Sequence, residues 1–393
     1  MFIPGRIEIL GKHTDYCGGR SIVCAIDRGF HVEIESRSDL LVLLENRDSS
    51  ETILIDLNDP TEQPGHWANY AVEVISRVNT NFPDSLNDGA TIRFHSDLPK
   101  AAGLSSSSAL MIMVFAALDL TNGISKSGQY QDNITDETDL AEYLGCIENG
   151  QSFRELAGSA GVGTFGGSQD HAAILLGQTD KLSEFSFSPL KLEGDFAFSD
   201  EFVFVVASSG VSAEKTGAAR ERYNRVSRMV SEITSGPGKG LTLAGMFNEF
   251  SVDEVFRKIR QMKSVFTTRE LLERVEQFRI ENFEIIPAVS DLLTDGRHGD
   301  IGDATDLSQQ NAERFLGNQI AETAFLQRSA REIGAIAASA FGAGFGGSVY
   351  AVVKKSDADG FMSEWQRVYK NRFPQHGRTS EFFITRPSQC DLG

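Results

Sequence analysis

LPKAAGLSSSSALMIMVFAAL (residues 98–118) joins a loop of small residues to a long apolar run. Gly103 and four consecutive serines lead into unbroken apolar sequence from Ala109 to Leu118. Serine is a favoured helix N-cap, and the run is long enough for a buried helix. Such a helix start presents unpaired N–H groups and the positive end of the helix dipole, which attract an anion such as phosphate. A serine-capped core helix without a ligand is the simpler alternative.

The composition indicates a globular protein whose overall charge disfavours large anionic partners. A chain of 393 residues suggests two domains, because single cores stop growing at about 250–300 residues. A net charge of −18 disfavours nucleic acid and anionic membranes as partners. The four cysteines show no CxxC spacing, and we see neither a membrane span nor a signal peptide. We therefore expect a cytoplasmic location.

The order of the expected elements predicts an α+β fold, with strands first and buried helices after them. The weakest seam, residues 182–199, is the expected domain boundary, so the domains are predicted as 1–185 and 186–393. The strands are expected at 21–34, 40–44, 53–57, 91–94, 202–207 and 348–353, and the helices at 67–78, 213–233, 271–283 and 321–340.

Two further glycine clusters follow the serine loop. Residues 161–167 read GVGTFGG and are followed by Asp170, and residues 342–347 read GAGFGG. Both match GxGxxG, but a dinucleotide site needs a strand before that motif and a helix after it. The last cluster has helical sequence before it and a strand after it, so we reject a Rossmann site.

The chain also has no GxxxxGK[ST] motif, which excludes a P-loop. Three Gly/Ser loops that converge would instead form a nest of backbone donors for phosphates. Arg6 and Lys12 supply positive charge, and Asp170 supplies a carboxylate. Phosphoryl transfer needs cradled phosphates, a metal ion, a cation and a carboxylate that orients or deprotonates the acceptor.

On these motifs the chain resembles the GHMP small-molecule kinase superfamily, and within it the galactokinases. Residues 4–19, PGRIEILGKHTDYCGG, resemble the galactokinase signature near the family's N-terminus. Residues 103–107 resemble the family's ATP-phosphate loop, and residues 342–347 resemble its third motif. The likeness covers nearly the whole chain, in the family's order.

The resemblance implies a two-domain GHMP kinase fold with an ATP–sugar cleft. The N-terminal domain would be ribosomal protein S5 domain 2-like with a left-handed βαβ crossover, and the C-terminal domain ferredoxin-like. Asp170 matches the catalytic aspartate, and Arg6 matches the arginine that polarises the sugar hydroxyl. Ser107 matches the Mg²⁺ ligand, and Glu148 resembles the metal-linked glutamate, with Glu155 as its rival.

The resemblance also implies two sets of ligand contacts. The expected sugar contacts are Lys12, His13, Asp15, Gly167 and Tyr223. The expected ATP contacts are Lys100, Gly103, Leu104, Ser105, Ser106, Ser107, Ser108, Gly344 and Gly346.

Two residues of the signature depart from the galactokinase pattern. Lys12 stands where galactokinases carry a glutamate that contacts the sugar, and Glu8 replaces the usual asparagine. A cation at position 12 would favour an acceptor with a carboxylate.

The predicted function is an ATP- and Mg²⁺-dependent kinase that phosphorylates the anomeric hydroxyl of galactose or a related monosaccharide, acting as a monomer or weak homodimer. The alternatives are a kinase of an acidic sugar or another small alcohol, and a non-catalytic regulator that binds sugar and ATP.

Overall fold

A computed structural model describes residues 1–62, 66–212 and 217–393, with the side chains of 217–220 left out. The strands are β1 (Phe2–Leu10), β2 (Arg20–Arg37), β3 (Leu41–Asn46), β4 (Glu51–Asp56), β5 (Gly89–Ser96), β6 (Lys181–Ser186), β7 (Lys191–Ala197), β8 (Phe202–Ser208), β9 (Ala337–Ala340), β10 (Ser348–Lys354), β11 (Glu381–Thr385) and β12 (Pro387–Ser388).

Along the described part of the chain, five helices precede β6, seven lie between β8 and β9, and one lies between β10 and β11. They are α1 (Asn69–Asn81), α2 (Ser106–Asn122), α3 (Gly128–Asn133), α4 (Glu137–Asn149), α5 (Gln169–Leu176), α6 (Gly217–Ser235), α7 (Leu243–Glu249), α8 (Val252–Gln261), α9 (Thr268–Ile280), α10 (Ile286–Thr294), α11 (Gly302–Asn311), α12 (Ala321–Ile333) and α13 (Ala358–Arg372). Single π-helical turns follow α9 and α11, at Glu281–Ile285 and Ala312–Leu316.

The first sheet has eight strands, which all come from the first 197 residues except β12, near the end of the chain. Its order is β4-β3-β5-β2-β6-β7, and β1 and β12 also pair with the long strand β2. Helix α2 is buried along Ala109–Leu118, apart from half-buried Ala116, and packs in one core with the apolar side chains of β1, β2 and β5. The apolar run that follows the serine loop is therefore the central helix of this domain.

The second sheet has the order β11-β8-β10-β9, and all of its pairs are antiparallel. With α12 and α13 it gives the sequence β8-α12-β9-β10-α13-β11, which is the ferredoxin-like βαββαβ arrangement that we expected. The buried Tyr350 hydroxyl donates to the carbonyl oxygen of Ile9 at 2.9 Å, so this sheet packs directly against β1.

Two of the expected boundaries need correction. The hairpin β6–β7 belongs to the first sheet, so the sheets separate between Ala197 and Phe202 and not between residues 185 and 186. Residues 321–340 are not one helix, because Gly334 ends α12 in a left-handed conformation and the buried alanines of β9 then pair with β10. The expected start of α6 at residue 213 lies outside the described residues.

Candidate functional site

Arg6 joins three distant parts of the chain at one point. Its side chain is 4% exposed and donates from Nε to Asp170 Oδ1 at 2.8 Å. Its Nη1 donates to the carbonyl oxygen of Gly103 at 2.6 Å, and its backbone N–H donates to that of Leu104 at 3.2 Å. Strand β1, the serine loop and the first turn of α5 therefore meet at this guanidinium.

The third glycine cluster lies against the same point. A Cβ added to Gly342 would be 3.0 Å from the carbonyl oxygen of Gly103. The hydroxyl of Ser348, just after the cluster, donates to the carbonyl oxygen of Ala102 at 2.7 Å. The serine loop and the third glycine cluster are about 240 residues apart in the sequence. They meet here because β10 packs beside β1.

The start of α2 has no side-chain cap. Ser105 occupies the N-cap position with a φ of 62°, and its side chain makes no capping hydrogen bond. Within the part of the chain that is described, its buried Oγ has no hydrogen-bond partner. A Cβ on Gly103 would meet no atom closer than 3.8 Å, so the loop is open at that residue. Among the described residues, the serine cap of the simpler alternative is therefore absent, so the first N–H groups of α2 can bond to another acceptor.

Glu148 and Glu155, the two candidates for the metal-linked glutamate, have very different surroundings. Glu148 is buried at the end of α4, lines the cavity beside Asp170, and accepts a hydrogen bond from Ser108 Oγ at 2.8 Å. Glu155 is exposed, and its backbone N–H donates to Asn133. Only Glu148 is therefore in a position to act at this cavity.

The sugar-signature loop after β1 forms one wall of the cavity. Asp15 Oδ2 accepts from the backbone N–H of Gly167 at 2.9 Å. A Cβ on Gly167 would lie 2.6 Å from that oxygen, so only glycine permits this approach. The Tyr223 ring lies 5.3 Å from the His13 ring, between centroids. These residues line the cavity together with Arg6, Glu8, Tyr16, Glu148, Asn149, Gly166, Gln169, Asp170, Gly342 and Ala343.

His13 is held by the protein through both ring nitrogens. Nε2 lies 3.1 Å from the carbonyl oxygen of Ala343, and Nδ1 lies 2.7 Å from the Tyr16 hydroxyl. A carbonyl oxygen can only accept, so Nε2 carries a hydrogen, and in the neutral ring Nδ1 accepts from the Tyr16 hydroxyl. His13 therefore ties the signature loop to the third glycine cluster.

Lys12 is the sequence-predicted sugar contact that the structure places elsewhere. Its side chain is 1% exposed and does not line the cavity. Nζ donates to Ser308 Oγ at 3.0 Å, and Ser308 donates in turn to Glu281 Oε1 at 2.8 Å. The amine is therefore held by a hydroxyl on α11, away from the residues that line the cavity, and the structure does not support the predicted contact with substrate. The reason for expecting an acidic sugar is lost with it.

Two predicted ATP contacts also face protein. A Cβ on Gly344 would lie 2.4 Å from the carbonyl oxygen of Asn318, and one on Gly346 would lie 2.8 Å from that of Val211. Both glycines have positive φ, of 81° and 145°. Tight backbone packing explains these two glycines, whereas Lys100 is exposed at the start of the serine loop.

Helix α9 supports the signature loop in a way that sequence reasoning missed. The buried Arg274 donates to the carbonyl oxygen of His13 at 2.6 Å, and Gln277 donates to that of Lys12 at 3.1 Å. Glu281 accepts from the backbone N–H of Gly11 at 3.0 Å. The signal was a stripe of long polar residues, at 274, 277 and 281, on one face of an otherwise amphipathic segment.

Glu8, one of the two departures from the galactokinase pattern, lines the cavity with a buried side chain. It is 2% exposed, and burial raises the pKa of its carboxyl to about 7 although Lys12 and Arg6 act to lower it. Within the described residues, Oε1 has no hydrogen-bond partner. The described residues contain no cluster of three or more His, Cys, Asp or Glu side chains suited to a metal ion.

Comparison with known proteins matches both halves of the chain. Residues 2–35 match the galactokinase galactose-binding signature, residues 69–178 the GHMP kinase N-terminal domain, and residues 288–371 the GHMP kinase C-terminal domain. The galactokinase of Fusobacterium nucleatum is 24% identical over 98% of this chain and 92% of its own length. That of Clostridium acetobutylicum is 26% identical over the same shares.

Solved structures share the fold. The galactokinase of Lactococcus lactis in complex with galactose superposes with a TM-score of 0.79 at 21% identity, over 99% of this chain and 93% of that one. A mevalonate kinase gives a TM-score of 0.61 at 15% identity, over 99% of both chains. At these identities the structural likeness establishes the architecture. Within the described residues, no helix has the length and hydropathy needed to cross a bilayer.

Proposed function

Because this chain belongs to the GHMP kinase superfamily, we propose that it is a galactokinase, which transfers the γ-phosphoryl group of ATP to the anomeric hydroxyl of galactose. The match to the galactose-binding signature and the galactokinases that align along 98% of the chain support this choice of acceptor. Lys12, the one residue that favoured an acidic sugar, bonds to Ser308 outside the cavity.

One observation carries the proposal. Arg6 bonds to the Asp170 carboxylate and to the carbonyl oxygen of Gly103, so a carboxylate and the uncapped start of α2 lie on either side of one guanidinium. Phosphoryl transfer depends on this kind of arrangement, because alignment and neutralisation of charge account for most of the catalysis.

Asp170 is the group that takes the proton from the sugar hydroxyl. Its side chain is 15% exposed at the cavity, so a hydroxyl can reach it. Arg6 fixes the direction of the carboxylate through two nitrogens, Nε and Nη2, each 2.8 Å from Oδ1. The same guanidinium stabilises negative charge that develops on the attacking oxygen.

The residues around α2 fit a nucleotide triphosphate and its magnesium ion. The backbone N–H groups of residues 105–108 form the positive end of α2, which suits phosphate oxygens. The Ser107 hydroxyl and the Glu148 carboxylate supply oxygen ligands, the type that Mg²⁺ prefers. Bound there, Mg²⁺ would neutralise charge on the phosphates, and few protein ligands are needed because phosphate oxygens and water complete its shell.

A coupled assay of ADP release with ATP, Mg²⁺ and a panel of sugars tests the proposal. We expect galactose to be phosphorylated and galacturonic acid to be inert, with the ³¹P spectrum of the product placing the phosphate on the anomeric carbon. Asp170→Asn should bind galactose and ATP but turn over very slowly. Tight binding of both ligands by the unaltered protein, without turnover of any sugar, would instead identify a non-catalytic regulator.

A further inference from the structure

Glu8 lines the cavity and carries a buried carboxyl oxygen to which no residue described in the structure donates a hydrogen bond. The side chain is 2% exposed and lines the cavity with Arg6 and Asp170. Within the described part of the chain, Oε1 is buried and has no hydrogen-bond partner. A buried acceptor without a partner is costly, so its presence on a cavity wall indicates a donor that arrives with the ligand.

The nearby cations do not satisfy this oxygen. The Arg6 guanidinium bonds to Asp170 and Gly103, and the Lys12 amine bonds to Ser308. Both cations act on Glu8 only through the electrostatic field, which is too weak to offset burial, and the pKa of the carboxyl stays raised at about 7. Neither of these two cations therefore donates a hydrogen bond to Glu8 Oε1.

We propose that Glu8 is a specificity-determining residue that accepts a hydrogen bond from the hydroxyl on the second carbon of the sugar. This inference rests on the proposed function, in which Arg6 and Asp170 hold the anomeric hydroxyl. Glu8 follows Arg6 by two positions on β1, so both side chains point to the same face, about 7 Å apart along the strand.

The chemistry of the sugar ring selects the second carbon. The anomeric carbon has two ring neighbours, the ring oxygen and the second carbon. The ring oxygen has no hydrogen to donate, so the hydroxyl on the second carbon is the nearest donor to the reacting group. The Glu8 carboxyl therefore accepts a hydrogen bond from that hydroxyl. The galactokinase pattern has an asparagine at this position.

A cycle of enzyme and substrate changes tests this contact. We would measure kcat/KM for galactose and 2-deoxygalactose with the unaltered enzyme and with Glu8→Ala, using 6-deoxygalactose as the control sugar. Loss of either partner should lower kcat/KM about 10- to 100-fold, because a buried polar group left without its hydrogen-bond partner costs free energy of this size. Loss of both should cost no more than about threefold beyond either single change.

Two further variants separate contact from structural damage. Glu8→Gln keeps the shape and a carbonyl acceptor, so it should recover galactose activity to within about fivefold of the unaltered enzyme. Glu8→Asn repeats the cycle with a shorter side chain if the alanine variant does not fold. The control sugar, 6-deoxygalactose, keeps the hydroxyl on the second carbon. In each variant its kcat/KM should therefore fall by the same factor as that of galactose.

The outcomes distinguish this inference from the proposed function. Independent, multiplying losses in the cycle would overturn the role of Glu8 while galactose phosphorylation stands. Failure of the unaltered enzyme to phosphorylate galactose would overturn the proposed function, and that result needs no variant at all.

Discussion

Replacement of Glu8 by glutamine should change how the stability of this protein depends on pH. Burial raises the pKa of the Glu8 carboxyl from its ordinary value of 4.5 to about 7. The folded protein therefore holds this proton at pH values where the unfolded chain has released it. Between pH 4.5 and 7 the folded state binds more protons, so the free energy of unfolding falls as the pH rises.

The size of the effect follows from the shift. The rise of the Glu8 pKa from 4.5 to about 7 corresponds to about 3 kcal/mol of stability that is present below pH 4.5 and lost above pH 7. Glu8→Gln cannot ionise, so it should not show this loss. Its buried amide adds a constant energy at all pH values, and that constant cancels when only the pH dependence is compared.

Urea unfolding from pH 4 to pH 8.5 measures the difference directly. We expect the free energy of unfolding of Glu8→Gln, minus that of the unaltered protein, to increase by about 3 kcal/mol across this range. Glu201→Gln, which alters an exposed glutamate, serves as the matched control and should give a flat difference. A flat difference for Glu8→Gln as well would refute the reasoning.

Three other changes test the catalytic and structural assignments. Asp170→Asn should lower kcat about 10²- to 10⁴-fold in the ADP-release assay with a nearly unchanged KM for galactose, because the amide keeps the shape but cannot take a proton; a large rise in KM alone would contradict this role. Gly344→Ala should reduce the urea-unfolding free energy by at least about 2 kcal/mol more than Gly240→Ala. Both residues have positive φ, but only the first would place a Cβ 2.4 Å from a carbonyl oxygen, so equal losses would contradict the packing argument. Arg274→Met should raise the KM for galactose about tenfold by freeing the signature loop, whereas Arg269→Met, exposed on the same helix, should not change it.

The sequence was most informative where a motif is contiguous. The GHMP kinase resemblance rested on three ordered motifs, and the family comparisons confirm it. The motifs named Arg6, Asp170 and Gly103, and in the structure the Arg6 side chain donates hydrogen bonds to the other two residues. Their catalytic and binding roles stay predictions until the variants are measured.

Side-chain direction could not be predicted in the same way. Lys12 lies in the signature, and its position in the motif indicated the sugar, yet its amine points to Ser308 on α11. Ser308 lies about 300 residues later, so no local pattern reveals it as a partner. The glycine of residue 334 did carry a signal for the end of α12, but the alanines that follow favour helix and hid the strand.

The sequence alone determined the local features of this protein: the buried helix α2, the glycine loops and the order of motifs along the chain. These depend on backbone propensities and apolar periodicity, which act over a few residues. The tertiary structure decided which polar groups meet, because the partners of Arg6, Lys12 and Glu281 come from segments far apart in the chain. It alone also decided that Glu8 is buried at the cavity with an oxygen that no described residue satisfies, since burial depends on all the elements that pack around β1.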